Sequence, residues 1–408
     1  MVTEKKGQAS LWGGLLRREI WSICLYLGLV DMVIGMVAPT LSLFARSLGA
    51  SLSLVGLLAA MLGLARFAAG LLSGALSDRR GRKSILLLGL AGMGLACLLY
   101  ALAASPEALL PINALFGLSF VACLTTGLAS AADLASVRER SLVFGVATTA
   151  MGLGFALGSL AGGLVAARSG YPAAYLAALG LAGLGLLAAW RALPGESRPA
   201  GPVAPPTLSW ARQIGALLAN PIIRAACLGS ILSNLVFGGL VLTFFPIYAH
   251  GLGLTQAAIG SMIATRTLAS TLARLPAGIL VPIFPGRRLM LAALLVSTGA
   301  AFWLSQFTAP AALLLLLIAE GIAYGLFLTS GQVAIAEHAP PGGRGAALGS
   351  YMASASLGDS LAPLLLGLAA DLLGIRSVFY IGAGLALLGV ASIAHILARP
   401  ERVWSDKL

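Results

Sequence analysis

Six ionisable residues lie deep inside long apolar stretches of this chain, where a charge is costly. They are three acids and three bases: Asp31, Arg66, Arg266, Arg274, Glu320 and Asp359. Each costs roughly 2.5–3.5 kcal/mol near the centre of a bilayer unless it is paired or reached by water. A buried carboxylate can load and release a proton, because desolvation and a nearby guanidinium act on its charge in opposite directions. The set therefore favours proton coupling through one of the acids, and structural ion pairing between helices is the alternative.

The depth of these charges indicates which of them can meet. A helix rises about 1.5 Å per residue, so Asp31 lies about 16 Å and Arg66 about 18 Å from the predicted membrane edge. We therefore predict that Asp31 and Arg66 face each other or share a water cluster, with Arg66 as a structural or tuning partner. Arg266 receives no role. The second half of the chain places three further charges near mid-depth: Arg274, Glu320 and Asp359.

The composition indicates that these charged residues lie on membrane-spanning helices. The chain has 408 residues, of which 59% are hydrophobic and 10% charged, whereas a soluble protein carries about 25% charged residues. Spanning a bilayer takes about 20 apolar residues, and in hydrocarbon a segment of that length must be helical. The sequence therefore predicts an all-α membrane protein with twelve transmembrane helices, roughly at 20–46, 52–76, 84–104, 109–132, 142–167, 172–192, 221–249, 256–280, 288–307, 311–336, 345–369 and 375–397.

A proline-rich stretch divides the chain into two six-helix halves. We predict an N-terminal half at 1–192, a cytoplasmic linker at 193–219, and a C-terminal half with a short tail at 220–408. The halves resemble each other, as expected of pseudo-symmetric transporter repeats with a site between them. Residues of the first half recur in the second as the pairs Arg66 and Arg274, Gly145 and Gly349, Gly154 and Gly358, Gly163 and Gly367, and Gly170 and Gly374.

The basic residues predict the orientation in the membrane. Most of them lie in the two tails and in every second connection, whereas the opposite side carries only Arg46, Arg168 and Arg376. Because cytoplasmic loops are enriched in Lys and Arg, we predict a multi-pass protein of the cytoplasmic (inner) membrane with both termini in the cytoplasm. The first apolar stretch is too long for a signal-peptide core and is expected to remain as a helix.

The connection after the second predicted helix is densely charged. The stretch Gly74–Lys83 resembles the G-x-x-x-D-R-x-G-R-K signature of the major facilitator superfamily, which lies between the second and third helices of that fold. The matching residues are Gly74, Asp78, Arg79, Gly81, Arg82 and Lys83. The resemblance implies a cytoplasmic gate in which Asp78 lies against the start of helix 11. Asp133, Arg138 and Arg140 would complete this gate, and a purely topogenic basic loop is the alternative.

Two further stretches resemble the drug/proton antiporter branch of that superfamily. The run Asp31–Pro39 is similar to its first helix, where members commonly carry a functional acid. Helix 5 resembles the G-x-x-x-G-P-x-x-G-G signature, with Ser159 in place of proline, and its glycines are expected to pack the halves closely: Gly154, Gly158, Gly162 and Gly163. Helix 4 departs from the pattern, because Asn113 stands where the family often has an arginine.

A group of polar and aromatic residues is predicted to line the substrate cavity: Thr125, Ser233, Asn234, Phe237, Trp303 and Tyr324. So apolar a lining suits lipophilic molecules, cations included, better than sugars, which need many hydrogen bonds to replace water. The function we expect is secondary active export of such molecules by proton antiport through alternating access. Uptake or facilitated diffusion of a small metabolite is the first alternative, and a non-transporting receptor or scaffold is the last.

The expected partners follow from this function. They are a small-molecule substrate, protons and the lipid bilayer, with the proton gradient as the energy source and no cofactor, metal or nucleic acid. The protein is expected to be a monomer. An enzyme is disfavoured because the histidines lie far apart near helix ends and no nucleophile or metal constellation surrounds them. A phosphate-binding loop for ATP is likewise not visible in the sequence.

Overall fold

The computed structural model describes residues 18–135, 139–192, 215, 217–340 and 344–398. These residues form twelve helices in chain order. In the first half they are α1 (Arg18–Ser47), α2 (Leu52–Arg80), α3 (Arg82–Leu102), α4 (Leu109–Leu134), α5 (140–169) and α6 (171–192). In the second half they are α7 (Pro221–Gly251), α8 (Gln256–Ile283), α9 (Gly286–Leu304), α10 (Pro310–His338), α11 (Arg344–Leu373) and α12 (Ile375–Ala398).

Ten of the twelve described helices lie in stretches that are long and apolar enough to cross a bilayer. Nine stretches of the described residues meet this test, and one of them contains both α5 and α6. The apolar part of α2, Leu52–Ala68, is shorter, and α8 carries the charges of Arg266 and Arg274. The predicted fold of twelve transmembrane helices in two six-helix halves is therefore confirmed. Most of the predicted linker, 193–214, lies outside the described residues.

Glycines in the left-handed region end helices at matching places in the two halves. Gly170 separates α5 from α6 with φ +83°, and Gly374 separates α11 from α12 with φ +85°. Gly49 and Gly253 occur just before α2 and α8 with φ +92° and +86°. A side chain is strained at such angles. Gly49 and Gly253 have the same separation in sequence as Gly170 and Gly374. The glycine pattern that recurs in the two halves therefore reflects the same backbone geometry in each half.

The helix 5 glycines pack mainly within their own half. Gly154 lies against the backbone of Gly28, Gly158 against that of Met32 and Gly162 against that of Met36, so each turn of α5 is seated on α1. A spacing of four residues keeps one face of a helix turned towards its neighbour. The prediction that these glycines pack the two halves together is wrong for these three.

Gly163 is the member of the motif that does reach the other half. It lies against Gly260 and the carbonyl of Gln256 in α8, where an added Cβ would overlap the backbone. Its counterpart Gly367 lies in the same way against Gly56 and Leu52 in α2. The halves therefore meet along two seams, α5–α8 and α2–α11.

Both seams are tight at one end of the bundle, which we call the Ser53 end after a residue at the start of α2. The opposite end, where α2 turns into α3, is called the Gly81 end. Towards the Gly81 end, Gly145 on α5 and Gly349 on α11 have open space where a Cβ would lie. Between the two ends, Gly152 on α5 lies against Thr271 on α8, and Gly63 on α2 lies against Ser360 on α11.

Helix α7 contains a wide turn next to the charged residues. Its segment Leu235–Phe244 is a π-helix, and Thr243 donates a hydrogen bond to the carbonyl of Gly238 five residues earlier at 2.7 Å. Such segments inside α-helices occur frequently at functional sites. Gly238 leaves room there for the carboxylate of Asp359, which lies where a Cβ would be.

Candidate transport site

An ion pair joins the two halves in the middle of the α2–α11 seam. The Arg66 guanidinium on α2 donates to the Asp359 carboxylate on α11 at 3.0 Å, and the two side chains are 27% and 13% exposed. The guanidinium also lies over the ring of Phe120 on α4 at 5.5 Å. Partial exposure at this depth means that both charges border a space that water or a substrate can enter.

Small residues bring these two side chains together. Gly63, one turn before Arg66, lies against the backbone and hydroxyl of Ser360, so α2 and α11 approach closely there. On the other side, Gly238 of α7 leaves room for Asp359. The ion pair is therefore held by three helices, two of which belong to the second half.

Asp31 is nine-tenths buried on α1, with 8% of its surface exposed. Its Oδ2 atom has no hydrogen-bond partner among the described residues. Arg66 and Arg274 both act on its charge electrostatically. The guanidinium of Arg66 is bound to Asp359 and not to Asp31, so of the two predicted arrangements a direct pair is not found. A water cluster shared by Asp31 and Arg66 stays a prediction.

Arg274 approaches Asp31 from the second half of the protein. It lies on α8, half-buried, and its Nε atom has no hydrogen-bond partner in the described part of the chain. Its charge interacts with Asp31, with Tyr324 and with Arg266. The carboxylate of Asp31 thus interacts electrostatically with two guanidinium groups, one carried by each half.

Arg266 and Glu320 form a second ion pair, which is buried within the second half. The guanidinium donates two hydrogen bonds to the carboxylate, at 2.5 and 2.9 Å, and the side chains are 1% and 0% exposed. Ser297 on α9 adds a longer bond to Glu320 at 3.4 Å. Such a bidentate, fully enclosed pair between α8 and α10 fits a structural role. The sequence had left Arg266 without a partner.

Three of the predicted cavity residues come together beside this pair. The guanidinium of Arg266 lies 3.8 Å from the ring centre of Phe237 and 4.6 Å from that of Tyr324. The two rings are 4.9 Å apart, and the hydroxyl of Tyr324 donates to Asn234 at 3.4 Å. Phe155 on α5 approaches Phe237 from the first half at 6.4 Å. An aromatic surface therefore crosses between the halves.

The other predicted cavity residues lie in different settings. Thr125 is half-buried on α4 and donates to the carbonyl of Val121 at 2.8 Å. Ser233 is buried on α7, and its hydroxyl has no partner among the described residues. Trp303 is 49% exposed near the end of α9, against Phe302 and Phe307. The assignment of Trp303 to the cavity is not supported, because an exposed aromatic at a helix end is typical of the membrane interface.

Asn113, at the position where the family often has an arginine, holds helices together. Its amide donates to the carbonyl of Leu58 on α2 at 2.6 Å, and its oxygen accepts from the hydroxyl of Tyr100 on α3 at 2.6 Å. The side chain is 1% exposed. These bonds tie α4 to two neighbours and leave Asn113 out of the central space.

The predicted gate lies at the Gly81 end. Gly81, with φ +85°, is the single residue between α2 and α3. Arg82 forms an ion pair with Asp133 at 2.8 Å, and Lys83 donates to the carbonyl of Trp190 at 2.8 Å. Arg138 lies outside the described residues, as do the surroundings of Gly74 and the side chains of Asp78, Arg79 and Arg140. The gate itself therefore stays a prediction.

The family model described as the Major Facilitator Superfamily matches residues 23–255 and 227–407. These two matches cover nearly all of the helical bundle. The chain belongs to the Major Facilitator Superfamily. It is therefore a multi-pass membrane transporter of small molecules and not an enzyme, as the sequence predicted.

Solved structures of the superfamily have the same fold. The chain is similar to the nucleoside transporter NupG (D323A mutant), with a TM-score of 0.77 and 16% identity over 93% of this chain and 100% of that one. Two curated relatives are the "Chloramphenicol resistance protein" of Pseudomonas aeruginosa and the "Gallate transporter" of Pseudomonas putida. They are 30% and 32% identical over 41% and 43% of this chain. The matched stretch spans 40% and 38% of these relatives' lengths.

Proposed function

We propose that this superfamily member exports lipophilic small molecules in exchange for protons, and that Asp31 is the group that carries the proton. The observation that supports this most directly is the setting of Asp31. Its carboxylate is nine-tenths buried, one of its oxygens has no partner among the described residues, and guanidinium groups from both halves act on it. A group in that setting responds to any movement of one half against the other.

The two guanidiniums differ in how they are held. Arg66 is bound to Asp359 across the α2–α11 seam, whereas Arg274 is not bonded to a carboxylate in the described part of the chain. Opening of the Ser53 end separates α2 from α11 and breaks the bond between Arg66 and Asp359. The electrostatic surroundings of Asp31 then change, which is the condition for loading a proton on one side of the membrane and releasing it on the other.

We propose that a proton and a cationic substrate compete for the carboxylate of Asp31. Because only one of them is bound at a time, the protein exchanges substrate for protons across the membrane. Asp31 in its charged form attracts a cation or a hydrogen-bond donor, and in its neutral form it does not. The rings of Phe155, Phe237 and Tyr324 offer apolar surface for a lipophilic body. Export as the direction is supported by the relative whose name is a chloramphenicol resistance protein.

The orientation that we propose has both termini in the cytoplasm, in keeping with the positive-inside rule. The Ser53 end then faces away from the cytoplasm and the Gly81 end faces it. The working unit we propose is a monomer in the inner membrane, driven by the proton gradient.

The test uses proteoliposomes that contain a pH-sensitive dye, a panel of lipophilic cations, and the variant Asp31→Asn. The wild type should move protons only when substrate is present, and Asp31→Asn should reduce this movement to the rate of empty liposomes. Glu107→Gln, which removes an exposed acid in the connection between α3 and α4, is the matched control and should behave as the wild type. Substrate-dependent proton movement that is unchanged in Asp31→Asn would overturn the role of Asp31.

Uptake or facilitated diffusion of a small metabolite is the second candidate. It is favoured by the structural bonds of Asn113, which stands where the antiporter pattern has an arginine, and by the relative named a gallate transporter. In the same liposomes, this function gives substrate movement without proton countermovement.

A further inference from the structure

At the Ser53 end, a carboxylate of one half caps a helix of the other half. Asp371, near the end of α11, accepts the backbone N–H of Leu52 at 2.9 Å and that of Ser53 at 2.8 Å. The hydroxyl of Ser53 donates to the same carboxylate. Leu52 and Ser53 are the first two residues of α2, so this group of bonds joins the halves across the α2–α11 seam.

The bonds of Asp371 complete the first turn of α2. The first N–H groups of a helix have no partner within the helix. The side chain of Ser51 accepts the N–H of Leu54 at 3.1 Å, and the N–H of Val55 makes the first helical bond, to the carbonyl of Ser51 at 3.1 Å. The N–H groups of Leu52 and Ser53 are left to Asp371. The carboxylate of Asp371 thus binds at the N-terminus of α2, where the helix carries its partial positive charge. The positive charge of Arg46 also acts on this carboxylate.

The second seam has no equivalent carboxylate. In the repeat that pairs Gly163 with Gly367 and Gly170 with Gly374, the counterpart of Asp371 is Ala167. Next to the α5–α8 seam, Gln256 of α8 makes a neutral hydrogen bond instead, donating to the hydroxyl of Tyr171 at the start of α6 at 3.2 Å. The charge at the Ser53 end is therefore a feature of the α2–α11 seam and not a by-product of the repeated fold.

We propose that Asp371 is an electrostatic latch that holds the Ser53 end closed. The latch rests on the alternating access of the proposed function, and it adds the residue that sets the balance between the two conformations. When the Ser53 end opens, water must replace a set of charge-assisted hydrogen bonds, which are about twice as strong as neutral ones. Asp371 is exposed, so this exchange needs no other rearrangement.

The experiment measures the distance between spin labels on the two halves at this end. Glu107→Cys and Thr308→Cys put labels at exposed positions between α3 and α4 and between α9 and α10, and the four native cysteines are buried. In the full-length protein in lipid nanodiscs, Asp371→Asn should raise the ratio of the long-distance to the short-distance population about tenfold. This is the size expected from the loss of about one hydrogen bond to a charged group.

Three variants show whether the charge of Asp371 is the cause. Asp371→Glu keeps the charge and should restore the wild-type distribution in part. Ser53→Ala removes one donor and should give a smaller rise than Asp371→Asn. Ser377→Ala removes a hydroxyl that bonds only within its own half, to Gly374 at 2.7 Å, and should change nothing. An unchanged distribution in Asp371→Asn, or an equal shift in Ser377→Ala, overturns the latch.

The distance measurement uses neither substrate nor a proton gradient. A shift in Asp371→Asn together with absent proton exchange would uphold the latch and overturn proton antiport. An unchanged distance distribution in Asp371→Asn together with substrate-dependent proton exchange would uphold antiport and overturn the latch.

Discussion

Arg66 and Asp359 meet across the line that divides the protein, with their charged atoms 3.0 Å apart. The same guanidinium also acts on Asp31, which lies in its own half. One arginine therefore serves two acids, one on each side of the dividing line. A movement that separates the halves must therefore change which of the two carboxylates this arginine neutralises.

The ion pair of Arg66 with Asp359 should contribute to stability as a unit. Arg66→Gln leaves the carboxylate of Asp359 without its guanidinium partner. Asp359→Asn leaves the guanidinium of Arg66 without its carboxylate partner. We expect each change to lower the free energy of unfolding by about 1–3 kcal/mol. The double variant should lower it by less than the sum of the two. Unfolding in detergent followed by tryptophan fluorescence measures this, and strictly additive losses would show that the pair does not stabilise the fold.

The buried pair of Arg266 with Glu320 should matter for folding and not for proton movement. Glu320→Gln leaves a buried guanidinium without its counter-charge, at a cost of about 3–5 kcal/mol. Replacing both partners by apolar residues, as Arg266→Met with Glu320→Leu, should restore much of that stability. Thermal unfolding of the purified variants tests this. Full stability of Glu320→Gln together with loss of proton coupling would show instead that Glu320 carries the proton.

The contact of α5 with α1 can be tested with two glycines on the same helix. An added methyl group at Gly158 would overlap the backbone of Met32, whereas one at Gly145 would meet open space. We expect Gly158→Ala to lower the free energy of unfolding by about 1–3 kcal/mol. Gly145→Ala should raise it by about 0.5–1 kcal/mol, because alanine is the better helix former. Equal effects of the two variants would contradict the packing described here.

The gate at the Gly81 end gives a kinetic prediction. Asp78→Asn should slow transport and leave substrate binding largely intact, because the residue is expected to hold closed an end of the protein that does not bind substrate. Transport rates in proteoliposomes and substrate binding in detergent are to be measured on the same preparation. An unchanged transport rate would remove the gate.

The number and length of the helices could be predicted because a bilayer imposes them. A span needs about 20 apolar residues with its backbone bonded internally, and residues such as Gly170 and Gly374 mark the turns. Depth could also be counted along each helix. Counting fixes the height of Arg66 but not the direction in which its side chain points, which explains why Asp31 was assigned to it in place of Asp359.

Contacts between helices distant in sequence were the part that the sequence did not reveal. Arg266 finds Glu320 only when α8 packs on α10, and Asp371 finds Ser53 only when the halves meet. The helix 5 glycines were expected to contact the wrong neighbour for the same reason, since a small residue permits close approach without saying to which helix. One signal was available for the site: the pair Gly238 and Gly239 in an otherwise bulky stretch of α7, next to Phe237.

The close contact of α5 with α1 should make the two helices move together. Their backbones touch at Gly154, Gly158 and Gly162, turn after turn, with no flexible side chains between them to absorb a displacement. Asp31 lies on α1 within this stretch, between Gly28 and Met32, and Gly163 on α5 rests against Gly260 of the other half. We therefore expect a displacement of α5 at Gly260 to shift α1 as well, and to carry Asp31 with it.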